Sequence, residues 1–142
     1  MAQNWLVPVD GEDISLKPVA WIIAHRDEWK AVPTIHLLNV QHPLSGDISR
    51  FVNAEQIRDY HREEGLKALA EAERQLKAAG IEPQLHVSVG DSAETIVDFA
   101  DSRHCEQILL GTRGHTGLGG TLLGSVASKV AHQTKVPLLL VR

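Results

Sequence analysis

Short apolar runs alternate with longer segments of helical period along the chain. The runs are rich in Val, Ile and Leu, and five of them are predicted as strands: residues 5–9, 34–40, 84–89, 107–110 and 137–141. Strands that are apolar throughout are typical of a parallel sheet buried on both faces. The pattern therefore predicts an α/β fold, a Rossmann-like three-layer sandwich with helices on both faces of a five-stranded parallel sheet.

Four helices are predicted between these strands, over residues 14–29, 54–79, 91–104 and 125–133. The longest contains no proline, and Gly80 is placed to end it. Pro18 is tolerable only in the first turn of the first helix. Residues 41–53 lack a sustained period and contain Pro43 and Gly46, so this stretch is predicted as a loop.

Composition limits the class of protein. The 142 residues, 43% of them hydrophobic, suit one domain over residues 1–142. A net charge of −4 without a Lys/Arg block argues against nonspecific nucleic-acid binding. The lone Cys105 cannot form an internal disulfide, and neither a secretory leader nor a membrane-length apolar run is evident. We therefore expect a cytoplasmic protein without membrane insertion.

The strongest candidate for a binding site is a glycine-rich segment. Six of the eleven glycines lie between Gly111 and Gly124, directly after the fourth predicted strand. Glycines at a strand end let the backbone approach a ligand and present its amides to anionic oxygens, and Ser125 would open a helix whose first turn favours phosphate. A tight connection between strand and helix is the structural alternative.

Two common phosphate-binding motifs are absent. The spacing of a P-loop does not occur, and the dinucleotide-binding G-x-G-x-x-G pattern is missing after the first strand, where the chain has Asp10-Gly11-Glu12-Asp13.

A different pattern is present. Gly111-x2-Gly114-x9-Gly124-Ser125 resembles the ATP-binding pattern G-2x-G-9x-G-[ST] of the universal stress protein family, in its ATP-binding branch. The opening Val7-Pro8-Val9-Asp10-Gly11 and the closing strand, from Pro137 to Val141, are similar to family members as well, so the resemblance covers the whole chain.

This resemblance implies the strand order 3-2-1-4-5, which places strands one and four side by side. The crevice outside their carboxyl ends is then the expected ligand site, with Asp10 and Gly111 at its two sides. Carried over position by position, the resemblance implies an adenine-nucleotide site (ATP, or ADP or AMP, with Mg or Mn as a further ligand) formed by Pro8, Asp10, Val40, Gly111, Thr112, Arg113, Gly114, Gly124, Ser125 and Val126.

Several of these residues have a structural alternative. Asp10 could hold ribose hydroxyls or a metal ion, or it could only cap a turn. Arg113 and His115 could approach the phosphates or extend into solvent. Glu12 stands where family members commonly have Ser or Thr. Ala127 stands where some ATP binders have a hydroxyl, and it would remove one phosphate contact.

No catalytic group is evident. The eight histidines form no H-x-x-x-H or H-E-x-x-H pair, and no residue is identified as a general base for ATP hydrolysis. We therefore expect a stress-response or signalling protein with at most slow ATPase activity.

Three further expectations complete this picture. A nucleotide-free interaction module of the same fold is the main alternative. A related ATP pyrophosphatase-type ligase is disfavoured because the residues after strand one do not match its loop, and colourless purified protein would count against an electron-transfer flavoprotein-like subunit. The apolar edge strand from Pro137 to Val141 is expected to pair across a homodimer. A protein partner is expected to respond to the nucleotide.

Overall fold

The computed structural model describes residues 3–112 and 123–142. Five parallel strands form one sheet: β1 (Asn4–Pro8), β2 (Thr34–Gln41), β3 (Gln84–Val89), β4 (Gln107–Gly111) and β5 (Leu138–Val141). Their order is β3-β2-β1-β4-β5. The predicted fold class and strand order are confirmed.

Five helices connect the strands: α1 (Lys17–His25), α2 (Gly46–Ser49), α3 (Ala54–Ala78), α4 (Ser92–Ser102) and α5 (Ser125–Gln133). Asn53 begins α3 with a capping box, in which its side chain accepts from the Gln56 amide and the Gln56 side chain accepts from the Asn53 amide. Asp91 caps α4 in a similar way by accepting from the Glu94 amide.

Two apolar clusters cover the two faces of the sheet, because alternate residues of each strand point to opposite sides. Helices α1 and α3 pack on one face, where fully buried Ile22 and Leu69 meet Val7 of β1. Helices α4 and α5 pack on the other face, where Ile96 and Val130 join a second cluster. The three layers follow from this division of apolar residues.

Two predicted elements were wrong in detail. The helix expected over residues 14–29 is divided into 3₁₀ turns at Asp13–Leu16 and Arg26–Glu28 flanking α1. Pro18 lies near the start of α1, where its missing N–H and its restricted φ are tolerated. The loop expected over residues 41–53 contains α2, which Ser45 caps by accepting from the Ile48 amide.

Within residues 3–112 and 123–142, none of the helices combines the length and the apolar character that a membrane span requires.

Candidate functional site

The carboxyl ends of β1, β2 and β4 meet at one edge of the sheet. Pro8 pairs with Leu38, and Leu6 pairs with Ile108. Continuing the first pairing by two residues places Asp10 beside Val40. Continuing the second pairing by four residues places Asp10 beside Thr112 on the other side. The strand order thus brings together residues that are about thirty and one hundred positions apart in sequence.

Asp10 is the exposed side chain at the centre of this edge. Its Oδ1 accepts a hydrogen bond from the Glu12 amide at 2.8 Å, and its own amide donates to Ser15 Oγ at 3.2 Å. The carboxylate therefore does hold a turn, as the structural alternative required. Its second oxygen makes no hydrogen bond with any residue that the structure describes, so it remains available to a ligand.

Gly111 ends β4 in close contact with the turn that precedes α1. A Cβ built on Gly111 would lie 1.9 Å from the Ile14 carbonyl oxygen and 2.9 Å from the Ile14 carbonyl carbon. No side chain fits there without a backbone shift. Gly111 therefore has a packing role at this site whether or not a ligand binds.

Lys17 joins the two sides of the crevice. Its Nζ donates to the Thr112 carbonyl oxygen at 2.8 Å, from the first residue of α1 to the residue after β4. Lys17 is half-buried, and its ammonium keeps two further donors. Sequence reasoning assigned Lys17 only to a helix, although a cation seven residues after Asp10 and just before Pro18 was a usable signal.

The start of α5 supplies exposed backbone amides. Gly124 is its N-cap, with extended backbone (φ −67°, ψ 171°), and no side chain caps the first turn. The Ser125 side chain is exposed and makes no hydrogen bond within the described ranges. Val126 packs against the apolar cluster of this face, and Ala127 is buried in that cluster. A hydroxyl at position 127 would therefore face the core.

The other residues implied by the resemblance differ in accessibility. Pro8 is buried at the end of β1, and Val40 is half-buried against the α4 and α5 cluster. Thr112 is buried, with 6% of its surface exposed. The predicted contacts of Arg113 and Gly114, and the question of His115, lie outside the described residues.

A buried amide supports this edge from behind. Asn39, only 4% exposed, donates from Nδ2 to the Val9 carbonyl oxygen at 2.9 Å, and its Oδ1 accepts from the Gln41 side chain. Gln41 Oε1 in turn lies 3.4 Å from His61 Nδ1. These contacts fix the backbone directly before Asp10. The sequence does not predict them, because a polar residue inside an apolar strand has no local signature.

Two histidines form a separate network toward the amino ends of the strands. His36 Nε2 donates to Asn4 Oδ1 at 2.9 Å, so its Nδ1 accepts from His86 Nε2 at 3.0 Å. Burial, and then the charges of His36 and Arg103, lower the pKa of His86 to about 4. Burial and Arg103 lower the pKa of His36 as well. Among the described residues, no group of three or more His, Cys, Asp or Glu is placed to hold a metal ion.

Comparisons with known proteins agree with this architecture. The sequence profile of the universal stress protein family matches residues 1–142. Universal stress protein MJ0531 of Methanocaldococcus jannaschii is 33% identical over 138 residues, which is 96% of this chain and 80% of that protein. A universal stress protein structure from Archaeoglobus fulgidus has a TM-score of 0.75 at 22% identity, with 100% of both chains covered. A universal stress protein in complex with cAMP has a TM-score of 0.65 at 27% identity, covering 99% of this chain and 96% of that one.

Proposed function

Because the chain belongs to the universal stress protein family, we propose that it binds ATP in the crevice at the carboxyl ends of β1 and β4 and acts in stress response or signalling. One universal stress protein domain, residues 1–142, carries this function. The buried, unpaired Cys105 suits a reducing compartment, and we propose a cytoplasmic location on that ground.

The observation that carries the proposal is the convergence of three separate segments on one edge. Asp10 follows β1, Gly111 ends β4, and Gly124 and Ser125 open α5 within the glycine pattern. Open parallel sheets bind ligands outside the carboxyl ends of their strands, where the strand order reverses. The relative in complex with cAMP supports an adenine nucleotide as the ligand class.

Each group has a role that suits a nucleotide. The exposed carboxylate of Asp10 is suited to ribose hydroxyls, and its second oxygen is also a hard ligand for Mg or Mn. The uncapped amides at the start of α5 and the Ser125 hydroxyl are suited to phosphate oxygens. Lys17 adds positive charge beside Thr112, at the end of β4. Backbone of Val40 and the buried Pro8 would border the nucleoside.

We propose binding with at most slow hydrolysis. Rapid phosphoryl transfer needs a residue that orients the attacking water as well as charge stabilisation. The Asp10 carboxylate lies at the centre of the crevice, and its Oδ1 already accepts a hydrogen bond from the Glu12 amide. The site is better suited to hold a nucleotide than to turn it over.

The test is Gly124→Val, compared with wild type in a thermal melt with and without ATP. A Cβ at Gly124 meets no atom of the described residues within 4 Å, so the apo variant should melt near wild type. A branched side chain at the start of α5 should block the phosphates, and ATP should then no longer raise the melting temperature. Unchanged ATP affinity of the variant by calorimetry would contradict the proposed site.

A nucleotide-free interaction module remains the second candidate, since it would use the same fold without a ligand. Purified protein should release ATP, ADP or AMP on extraction and chromatography. Protein that is repeatedly empty and shows no nucleotide binding by calorimetry would support the module instead.

We further propose a homodimer through β5, at the edge of the sheet. Leu140 is 36% exposed, and this edge strand would otherwise remain unprotected. The carbonyls of Pro137 and Val141 accept from the amides of Ile108 and Thr112 of the neighbouring strand segment. Since neighbouring residues of a strand alternate in direction, the backbone groups of Leu140 face outward.

Leu140→Pro should therefore split the dimer and leave the sheet intact, which sedimentation and circular dichroism would show. Leu139 is less suitable for this test because it packs into the α1 and α3 cluster. Val89→Pro is the matched control, since it places a proline at the opposite edge of the sheet. The Gly90 amide donates inward to the Gln41 carbonyl oxygen, so the Val89 amide faces outward there. A monomeric wild type at about tens of micromolar would contradict the proposed dimer.

A further inference from the structure

A groove on the face covered by α1 and α3 lies between α3 and the edge strand β3, and its described lining residues differ from those assigned to the crevice. We call it the α3–β3 groove. Its volume is about 820 Å³, within the range of small-molecule sites. Eleven residues line it: Pro43, Leu44, Ser49, Ile57, Arg58, His61, Arg62, Leu66, Leu85, Val87 and Val89.

Two rows of residues on α3 give the groove an apolar floor and a cationic rim. Ile57, His61 and Gly65 are four residues apart and lie on the inner, buried side of the helix. Arg58, Arg62 and Leu66 form the neighbouring outer row, and all three are exposed. The rim therefore carries the charge.

Gly65 brings α3 close to β3 and so limits the groove at that point. A Cβ on Gly65 would lie 2.5 Å from both methyl carbons of Val87. The helix residues that line the groove surround this contact and extend toward the start of α3. His61 is buried at the groove, with 4% of its surface exposed, and its ring contacts the Gln41 side chain. Its position in the groove is therefore fixed.

The two arginines of the rim differ from the other cations of α3. Lys67 pairs with Glu64, Arg74 with Glu71, and Lys77 with Glu73. By contrast, Arg58 and Arg62 make no ion pair or hydrogen bond with any residue in the ranges 3–112 and 123–142. No Asp or Glu is among the described residues that line the groove, although the chain as a whole carries a net charge of −4. The groove is therefore complementary to an anion.

Several apolar side chains in and around the groove are exposed to solvent. Leu66 and Val89 of its lining are 37% and 49% exposed, and Ile48 and Phe51, in the segment that leads into α3, are 52% and 86% exposed. Such a concentration of exposed apolar surface marks a binding surface. A ligand that fits must combine an apolar body with an anionic group.

We propose that the α3–β3 groove binds a carboxylate amphiphile, in which an alkyl chain lies along the apolar floor and the carboxylate meets Arg58 and Arg62. Guanidinium groups bind carboxylates through paired, charge-assisted hydrogen bonds. An alkyl chain suits the floor better than a peptide does. Among the described lining residues, Ser49 and His61 are the only polar side chains besides the two arginines, and buried peptide groups need partners.

The test uses the full chain and dodecanoate, below its micelle concentration, in isothermal calorimetry. Dodecyltrimethylammonium, with the same chain and the opposite charge, and butanoate, with the same charge and a short chain, should both bind much more weakly. Added salt should weaken dodecanoate binding because the guanidiniums are exposed and screened. Excess AMP should not displace dodecanoate, which separates this site from the crevice and from the fate of the nucleotide proposal.

The double variant R58Q/R62Q should bind dodecanoate about tenfold more weakly, the loss expected for charged hydrogen-bond partners. Lys67→Gln is the matched control, since it removes an exposed cation of the same helix outside the groove and should leave the affinity unchanged. Leu66→Glu should weaken dodecanoate binding more than R58Q/R62Q does, because it places a carboxylate on the rim. Thermal melts of each variant would separate lost binding from lost folding.

Three results would overturn the proposal. Equal affinity for the cationic and anionic amphiphiles would show nonspecific apolar adsorption. Unchanged dodecanoate affinity of R58Q/R62Q would place the ligand elsewhere. Binding of an acidic peptide in the absence of any dodecanoate binding would make the groove a protein-docking surface.

Discussion

Polar side chains at the two ends of the sheet differ in whether they are hydrogen-bonded to one another. At the carboxyl ends, Asp10 and Ser125 are exposed and keep unused hydrogen-bonding capacity toward the residues that the structure describes. Toward the amino ends, His36 uses both ring nitrogens in hydrogen bonds to Asn4 and His86, so these three side chains bond to one another. The polar groups at the carboxyl ends can therefore form hydrogen bonds with a ligand, whereas those toward the amino ends bond to one another.

This difference separates a binding site from a structural network more clearly than residue type does. Histidines are frequent ligands and catalysts, but the two imidazoles here stack on each other and pack edge-on or tilted against Phe99, whose ring is also covered by Arg103. Both imidazoles are disfavoured in the charged form, which suits a neutral role in packing. The crevice, with ordinary residue types, holds the available donors and acceptors.

The largest effect is expected at Gly111, on the crevice side. Gly111→Ala should destabilise the apo protein by about 3 kcal/mol, because its Cβ would overlap the Ile14 carbonyl and force backbone movement. Gly124→Ala is the matched control, since the space around it is open and its φ is −67°. Urea unfolding of both variants checks the contrast; equal stability would refute the close packing of β4 on the Ile14 turn.

The histidine network should give the next largest effect, visible as a pH dependence of stability. The pKa of His86 is near 4 in the folded state and near 6.5 when unfolded, so the unfolded state binds more protons between these values. Stability should therefore fall as pH falls from about 6.5 to 4. The full difference between the two pKa values corresponds to about 3.4 kcal/mol, and solvent around this partly exposed ring reduces the expected loss to about 2 kcal/mol. His36, whose pKa is also lowered, adds in the same direction.

His86→Gln tests this assignment, because a glutamine amide can still donate to His36 but cannot titrate. Urea midpoints measured between pH 7 and pH 4 should show a smaller loss of stability for this variant than for wild type. His42→Gln, at an exposed position, should retain the wild-type slope. An undiminished slope in His86→Gln would assign the pH dependence to carboxylates instead.

The sequence predicted the sheet well because strand positions depend on local apolar runs. All five predicted strands exist, with bounds that differ by about one residue, and the end of α3 fell where Gly80 placed it. The strand order could be predicted only through the family resemblance. Periodicity alone contains no information about which strands are neighbours.

The parts of the site that escaped prediction depend on contacts between distant segments. The bond from Lys17 to Thr112 spans 95 positions, and Asn39 supports Val9 across 30. Gly111 was predicted for its approach to a ligand, yet the structure shows a tight contact with Ile14. A sequence pattern can therefore single out a residue such as Gly111, but the contact that constrains it is seen only in the folded structure.

The smallest effect is expected for Asp10→Asn, which tests the carboxylate without disturbing the turn. Asparagine keeps Oδ1, so the hydrogen bond from the Glu12 amide should persist and the apo melting temperature should stay near that of wild type. Only the negative charge and one strong acceptor are lost. Because Asp10 is exposed, solvent screens part of that loss, and ATP affinity should weaken by about 1 to 2 kcal/mol. Calorimetric titration with ATP, with and without Mg, measures it, and a greater loss in the presence of Mg would indicate that Asp10 holds the metal. Unchanged affinity in both titrations would leave Asp10 as a turn residue only, and the polar centre of the crevice would then be the Lys17 ammonium and the start of α5.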